Sequence, residues 1–202
     1  ASPTMYFRNG KADPDLSQTG ALAVAVPGLI AGLWDFHKRH GLLSWAQVCE
    51  PAIRIAEEGF PVSKHMARAI ESRREDLEKD SELSKLLVPF GSPLKEGDRF
   101  VQRDLAKTLR EIAAGGKNAF YRGDLAARIS EWMSKNGGMI TARDFQRYRV
   151  RERSPLESEW RGYKVITMPP PSSGGIHLLQ ILKTVDSLLE RPVPSFHPEA
   201  ST

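Results

Sequence analysis

Tyr163-Lys164-Val165-Ile166-Thr167-Met168-Pro169-Pro170-Pro171-Ser172-Ser173-Gly174-Gly175 joins a strand-like run to a helix-like one, and its reading sets the fold. Residues 163–168 are β-branched and aromatic with partial alternation, the pattern of a half-buried strand. Beyond the turn, Ile176, Leu179, Ile181, Leu182, Val185 and Leu189 recur near helical spacing. Three prolines end the strand, because they lack an N–H donor and fix φ. Two serines and two glycines then allow a sharp turn that leaves backbone N–H groups at a helix start. That end carries partial positive charge and suits a carboxylate or a developing oxyanion. Ser172, Ser173, Gly174 and Gly175 are therefore the candidate substrate-facing residues. The plainer reading is a strand-to-helix connection in which Ser172 or Ser173 only caps the helix. A Gly-x-Ser-x-Gly nucleophile elbow is not met, since serine and proline precede Ser173.

Working outward, residues 156–160, a turn at Arg161-Gly162 and residues 163–168 predict a hairpin. Almost everything before it reads as helix. Residues 1–28 form an extended lead-in with one short buried strand over 21–26. Residues 29–148 form a helical lobe, and residues 149–202 the hairpin with its covering helix. Within the lobe, residues 29–40 close at Gly41, and Ser44-Trp45-Ala46-Gln47 fits a capping box whose helix contains Pro51 and should kink or restart there. Ser63 caps a helix expected to reach about Lys79. Residues 80–101 read as irregular, broken by Pro89, Gly91, Pro93 and Gly97. Residues 104–114 turn Leu105, Thr108, Leu109 and Ile112 inward and stop at Gly115-Gly116. A further helix carries Leu125, Ile129, Trp132 and Met133, and Thr141 opens a short one. The fold class is thus α+β, mainly a helical lobe plus an antiparallel strand pair and covering helix.

The totals narrow the function classes. At 202 residues the chain can build one good core or two small ones. A formal charge of +4 is too small to imply nucleic acid without a clustered patch. One cysteine, Cys49, excludes an internal disulfide and reads as a small buried hydrophobe. No apolar run reaches the length of a membrane span. Met5 is internal and Ser201-Thr202 resembles a helix opening, so the sequence reads as a piece of a longer chain.

Other features have plain explanations. His37 and His40 have a spacing compatible with a metal pair, but Lys38 and Arg39 between them mark a basic helix end favoured by the macrodipole. His65, His177 and His197 stand alone and read as surface or packing residues. Arg147, Arg149, Arg151 and Arg153 alternate and could grip phosphates. More ordinarily they form a solvated face neutralised by Glu152, Glu157 and Glu159. Phe120, Tyr121, Trp132, Phe145 and Tyr148 read as core.

Several segments, in order, resemble the γ-glutamyltranspeptidase family. They are Val26-Pro27-Gly28 with Ala31-Gly32-Leu33, Pro51-Ala52-Ile53 with Ala56 and Gly59-Phe60, and Gly97-Asp98. Leu105-Ala106-x-Thr108-Leu109, Phe120-Tyr121-x-Gly123 and Gly137-Gly138-x-Ile140-Thr141 with Asp144 and Tyr148 follow. Arg161-Gly162-Tyr163 and residues 168–175 end the series. The resemblance covers nearly the whole chain and corresponds to the later part of the family's large subunit. It implies an Ntn-hydrolase αββα sandwich, to which the hairpin and its helix would contribute. It also implies a self-cleaving precursor whose small subunit, starting at a threonine, attacks γ-glutamyl amides such as glutathione. That threonine lies in a Thr-Thr-His context, and no two threonines are adjacent here. The family's carboxylate-binding arginine would fall just before Ala1. No catalytic residue is therefore expected in this sequence, and no metal or cofactor. The expected partners are a γ-glutamyl substrate, the rest of the large subunit and the small subunit, in a periplasmic or extracellular setting. A related acylase of glutaryl or poly-γ-glutamate type, or a non-catalytic basic helical module, are the alternatives.

Overall fold

The computed structural model describes residues 2–188, so the expectations for Leu189, His197 and Ser201-Thr202 lie outside the described residues. Two compact units divide between Val150 and Arg151.

The first unit opens with a small hairpin, β1 (Phe7–Arg8) and β2 (Lys11–Ala12), turning through Asn9-Gly10. Helices α1 (Leu29–His40) and α2 (Trp45–Glu58) follow, then β3 (Phe60–Pro61), α3 (Lys64–Ser72), α4 (Arg74–Lys79) and α5 (Ser81–Leu87). Strand β4 (Arg99–Phe100) pairs antiparallel with β3, and α6 (Arg103–Tyr121), α7 (Asp124–Lys135) and α8 (Ala142–Arg147) complete the unit. The starts follow local chemistry. Ser44 and Gln47 form the expected reciprocal box, Ser63 Oγ accepts from Met66 N–H at 3.2 Å, and Thr141 forms a second box with Asp144.

Helices α2 and α6 make the longest packed interface of this unit. Ile53 and Ala56 from α2 and Ala106 and Ile112 from α6 are buried, and the two alanines are small enough to let the backbones approach closely. Trp45 Nε1 donates to the carbonyl of Ile112 at 3.0 Å, so this bulky ring is seated by its polar tip as well as by packing. Helix α6 breaks at Gly116, which has φ +60° and ψ −153°. The Trp34 ring occupies the space a β-carbon would take there. Glycine is thus required twice, for the left-handed backbone and for the close ring.

Beyond that break lies the core of Ala31, Tyr121, Ala126 and Phe145, with Ile30, Phe120, Ile129 and Tyr148 packed against it. Phe145 has no exposed surface. Tyr121 Oη donates to the Pro27 carbonyl at 2.6 Å and accepts from the Ala31 N–H at 3.2 Å, tying Val26-Pro27-Gly28 and the start of α1 to α6. Tyr148 stacks on Tyr121 with ring centroids 5.5 Å apart. Burial pushes the Tyr121 phenol above its ordinary pKa, against the smaller opposing effect of the Ala31 N–H, so it stays a neutral donor.

Five local expectations are corrected. Residues 21–26 are not a strand: Ala21–Ala23 form a 3₁₀ turn and Val24 is exposed, because six apolar residues with no pairing partner carry no strand preference of their own. Helix α2 runs as one helix through Pro51, with the ring on the exposed side. The helix after Ser63 breaks at Arg73. Residues 80–101 contain α5, started by Asp80, whose carboxylate accepts from Glu82 and Leu83 N–H groups. Leu105 and Trp132 are substantially exposed, while Ala106 takes the inward position on α6.

The second unit is the hairpin of β5 (Leu156–Trp160) and β6 (Tyr163–Thr167) with α9 (Gly174–Leu188). Its two-residue turn places Arg161 at φ 50° and Gly162 at φ 83°, the primed geometry that matches strand twist. Register pairs Leu156 with Thr167, Ser158 with Val165 and Trp160 with Tyr163. Leu156, Ser158, Trp160, Val165 and Thr167 are half-buried, while Glu157, Glu159 and Lys164 alternate outward. Helix α9 packs on β5, and Arg161 Nε donates to Asp186 at 2.6 Å, fastening the turn to the helix. The α+β expectation holds in both units.

Candidate functional site

The turn between β6 and α9 is shaped by a close approach. Gly175 is buried, and a β-carbon there would collide with the carbonyl oxygen of Met168. Glycine therefore lets the helix start lie directly against the strand end. Ser172 N–H donates to the Pro169 carbonyl at 3.2 Å, closing the turn, and His177 N–H donates to the Ser173 carbonyl at 3.0 Å, starting the α9 ladder. The N–H groups of Gly174, Gly175 and Ile176 belong to the first helical turn and have no intrahelical acceptor. Among the described residues neither serine hydroxyl caps the helix, so the simple capping role does not account for them.

The four candidate residues are contiguous but not equivalent. Ser172, Ser173 and Gly174 are exposed and Gly175 is buried. Only Ser172 reaches the wall of a groove of about 730 Å³, lined by Arg151, Arg153, Pro155 and residues 166–172. Ile166 and Met168 give it a largely apolar surface, being 59% and 65% exposed. Of the acids expected to neutralise this arginine face, Glu157 meets a lysine instead. Glu157 is engaged by Lys164 at 2.8 Å, and Arg149 donates to the carbonyls of Gln146 and Tyr148. Among the described residues no ion pair engages Arg151 or Arg153. Strand register decides which cations an alternating acid can meet, and charge order alone does not supply it.

The other sequence candidates are structural. His37 Nε2 lies 2.9 Å from the Leu43 carbonyl, and its ring meets Trp45 edge-on, holding the α1–α2 turn. Cys49 lines an apolar hollow between α1, α2 and α6, where it is half-buried and not the fully buried hydrophobe expected, and that burial raises its thiol pKa. Asp35 and Lys117 pair at 2.6 Å beside Tyr121. Among the described residues no helix is long and apolar enough to cross a membrane.

A helical lobe joined to a hairpin-and-helix unit of Ntn-hydrolase type is the class that this architecture defines. The chain belongs to the gamma-glutamyltranspeptidase family, whose model matches residues 1–198. It is 40% identical over 188 residues to the glutathione hydrolase proenzyme of Bacillus subtilis strain 168, a match covering 92% of this chain and 32% of that protein. It is 42% identical over 167 residues to the acylase ACY 1 proenzyme of Pseudomonas sp. strain SE83, covering 83% of this chain and 30% of that one. The crystal structure of Helicobacter pylori gamma-glutamyltranspeptidase superposes with a TM-score of 0.90 at 39% identity, covering all of this chain and 57% of that one. The chain spans about a third of the length of the curated relatives it matches.

Proposed function

We propose that this sequence forms part of a γ-glutamyl-transferring Ntn hydrolase, an enzyme that takes the γ-glutamyl group from glutathione or a related amide. The threonine hydroxyl of a small subunit attacks the amide carbonyl, and the amine leaves with a proton. The resulting ester passes its acyl group to water or to an amine and regenerates the threonine. Neither that nucleophile nor its base is in this chain, whose share is scaffold and one wall of the pocket. The remainder of the large subunit and the small subunit are the partners, and the setting is periplasmic or extracellular. The observation that carries the reading is the family match across residues 1–198, together with relatives that bear the name glutathione hydrolase.

Residues 172–175 are the wall we assign. Three first-turn N–H groups and two uncapped serines give it donors suited to a carboxylate or an oxyanion. The complete native protein should release nitroaniline from γ-glutamyl-p-nitroanilide. Replacing Ser172→Ala and Ser173→Ala together should raise KM for that donor several-fold, and an unchanged KM would remove the serines from the wall. The 42% identity to an acylase proenzyme favours a second reading, a related acylase. Turnover of a glutaryl anilide with none of the γ-glutamyl anilide would select it.

A further inference from the structure

We propose that the groove beside the proline turn holds a free carboxylate on a peptide-like molecule, gripped by Arg151 and Arg153. Both arginines line the groove, while Glu152, between them in sequence, does not. Among the described residues neither guanidinium is in an ion pair, and the nearby carboxylate of Glu157 is held by Lys164 at 2.8 Å. Two such guanidiniums offer fork-shaped donors that match a carboxylate bidentately, and they are weakly hydrated enough to work beside apolar surface. That surface is present: Ile166 and Met168 are 59% and 65% exposed, and the prolines add rigid walls with no N–H of their own. Ser172 places one hydroxyl at the rim. The complementary molecule has an anionic end and a short, moderately apolar body.

The identity of that molecule rests on the γ-glutamyl reading. There the free carboxylate belongs either to the part of the donor that leaves, as in the glycine end of glutathione, or to the acceptor peptide. The chemistry is the same, and the arms of one experiment separate the sources. In the complete native protein, Arg151→Gln with Arg153→Gln should raise KM for glutathione about tenfold or more, the usual weight of charge-assisted hydrogen bonds. KM for γ-glutamyl-p-nitroanilide, whose leaving group has no carboxylate, should not move. Glutathione amidated at its glycine should show on the unaltered protein the KM that glutathione shows on the double variant. If the carboxylate is the acceptor's, the shift falls on glycylglycine and not on glycylglycinamide. Calorimetry with glycylglycine and its amide reads the same discrimination without turnover. A protein inactive on every γ-glutamyl substrate therefore defeats the enzymatic reading and leaves the groove judged by binding. Equal shifts for acid and amide, no shift with any probe, or tighter binding of inorganic phosphate than of glycylglycine overturns the proposal. The single variant Arg153→Lys, which keeps the charge and loses the fork, should show an intermediate shift.

Discussion

Residues 2–150 bury whole side chains, including Phe145, Val62, Ile53, Ile112 and Met133, whereas among residues 151–188 only Gly175 is buried. The contrast is one of layers. In the first unit α2 and α6 lie along each other, and α1, α7 and α8 close over the rings at the end of α6. In the second unit two five-residue strands and one helix offer a single interface between them. Such a pair of layers cannot enclose a ring from all sides. Helix α9 makes the point by itself: Leu179 and Leu182 are half-buried, while Leu178, Ile181 and Leu188 on other sides are exposed. His177, Gln180, Thr184 and Ser187 form a polar stripe, so the exposed Leu178, Ile181 and Leu188 widen the apolar arc of α9 beyond the side that meets β5.

If stability is concentrated in the first unit, the largest single loss should come from its centre. Phe145→Ala should cost about 3–5 kcal/mol by urea unfolding, since the ring has no exposed atoms and its neighbours come from several helices. A loss under about 1 kcal/mol would break the contrast. The second unit has one position of comparable leverage. Gly175→Ala should cost about 1–3 kcal/mol, because the added methyl meets the Met168 carbonyl, backbone that has no rotamer to escape into. It should also raise KM for a γ-glutamyl donor through movement of the turn.

A smaller effect should come from the α8 cap. Thr141→Ala should cost about 1 kcal/mol of stability. The Thr141 hydroxyl and backbone N–H hold the Asp144 carboxyl below its ordinary 3.8. Because the folded value is the depressed one, that stabilisation is complete above the unfolded value and is lost as the pH falls through the folded value, below about 4. Thr141→Ala should therefore flatten the acid limb of the stability curve, and parallel limbs for parent and variant would reject the cap. The smallest effect belongs to Asp186→Asn. It breaks the pair with Arg161, but both groups are partly in water, so about 0.2–1 kcal/mol is expected, shrinking with salt.

Much of this contrast is legible in the residues themselves. Ser44, Ser63 and Thr141 announce helix starts with their own side chains, and Gly41 and Gly59 announce stops, whereas Gly116 only breaks α6, which resumes to Tyr121. Arg161-Gly162 announces a two-residue hairpin turn. These are local signals, closed within four residues of chain. What escapes is decided by distant partners. Residues 21–26 look like a strand until no partner strand arrives. Trp132 looks like core until the helix settles with Met133 inward instead. The candidate site divides the same way: the proline-serine-glycine turn is visible in sequence, while the standing of Arg151 and Arg153 depends on which strand brings Lys164 to Glu157.

Gly116 carries a consequence for how this sequence can vary. Two independent restrictions fall on one position, the Trp34 ring and a backbone angle of +60°. Shrinking Trp34 to leucine would clear space for an added methyl but would leave the angle unchanged. A suppressor screen starting from Gly116→Ala should thus recover partial revertants at position 34 and full ones only at 116 itself. In genetic terms the tryptophan is free to change first, and the glycine is not.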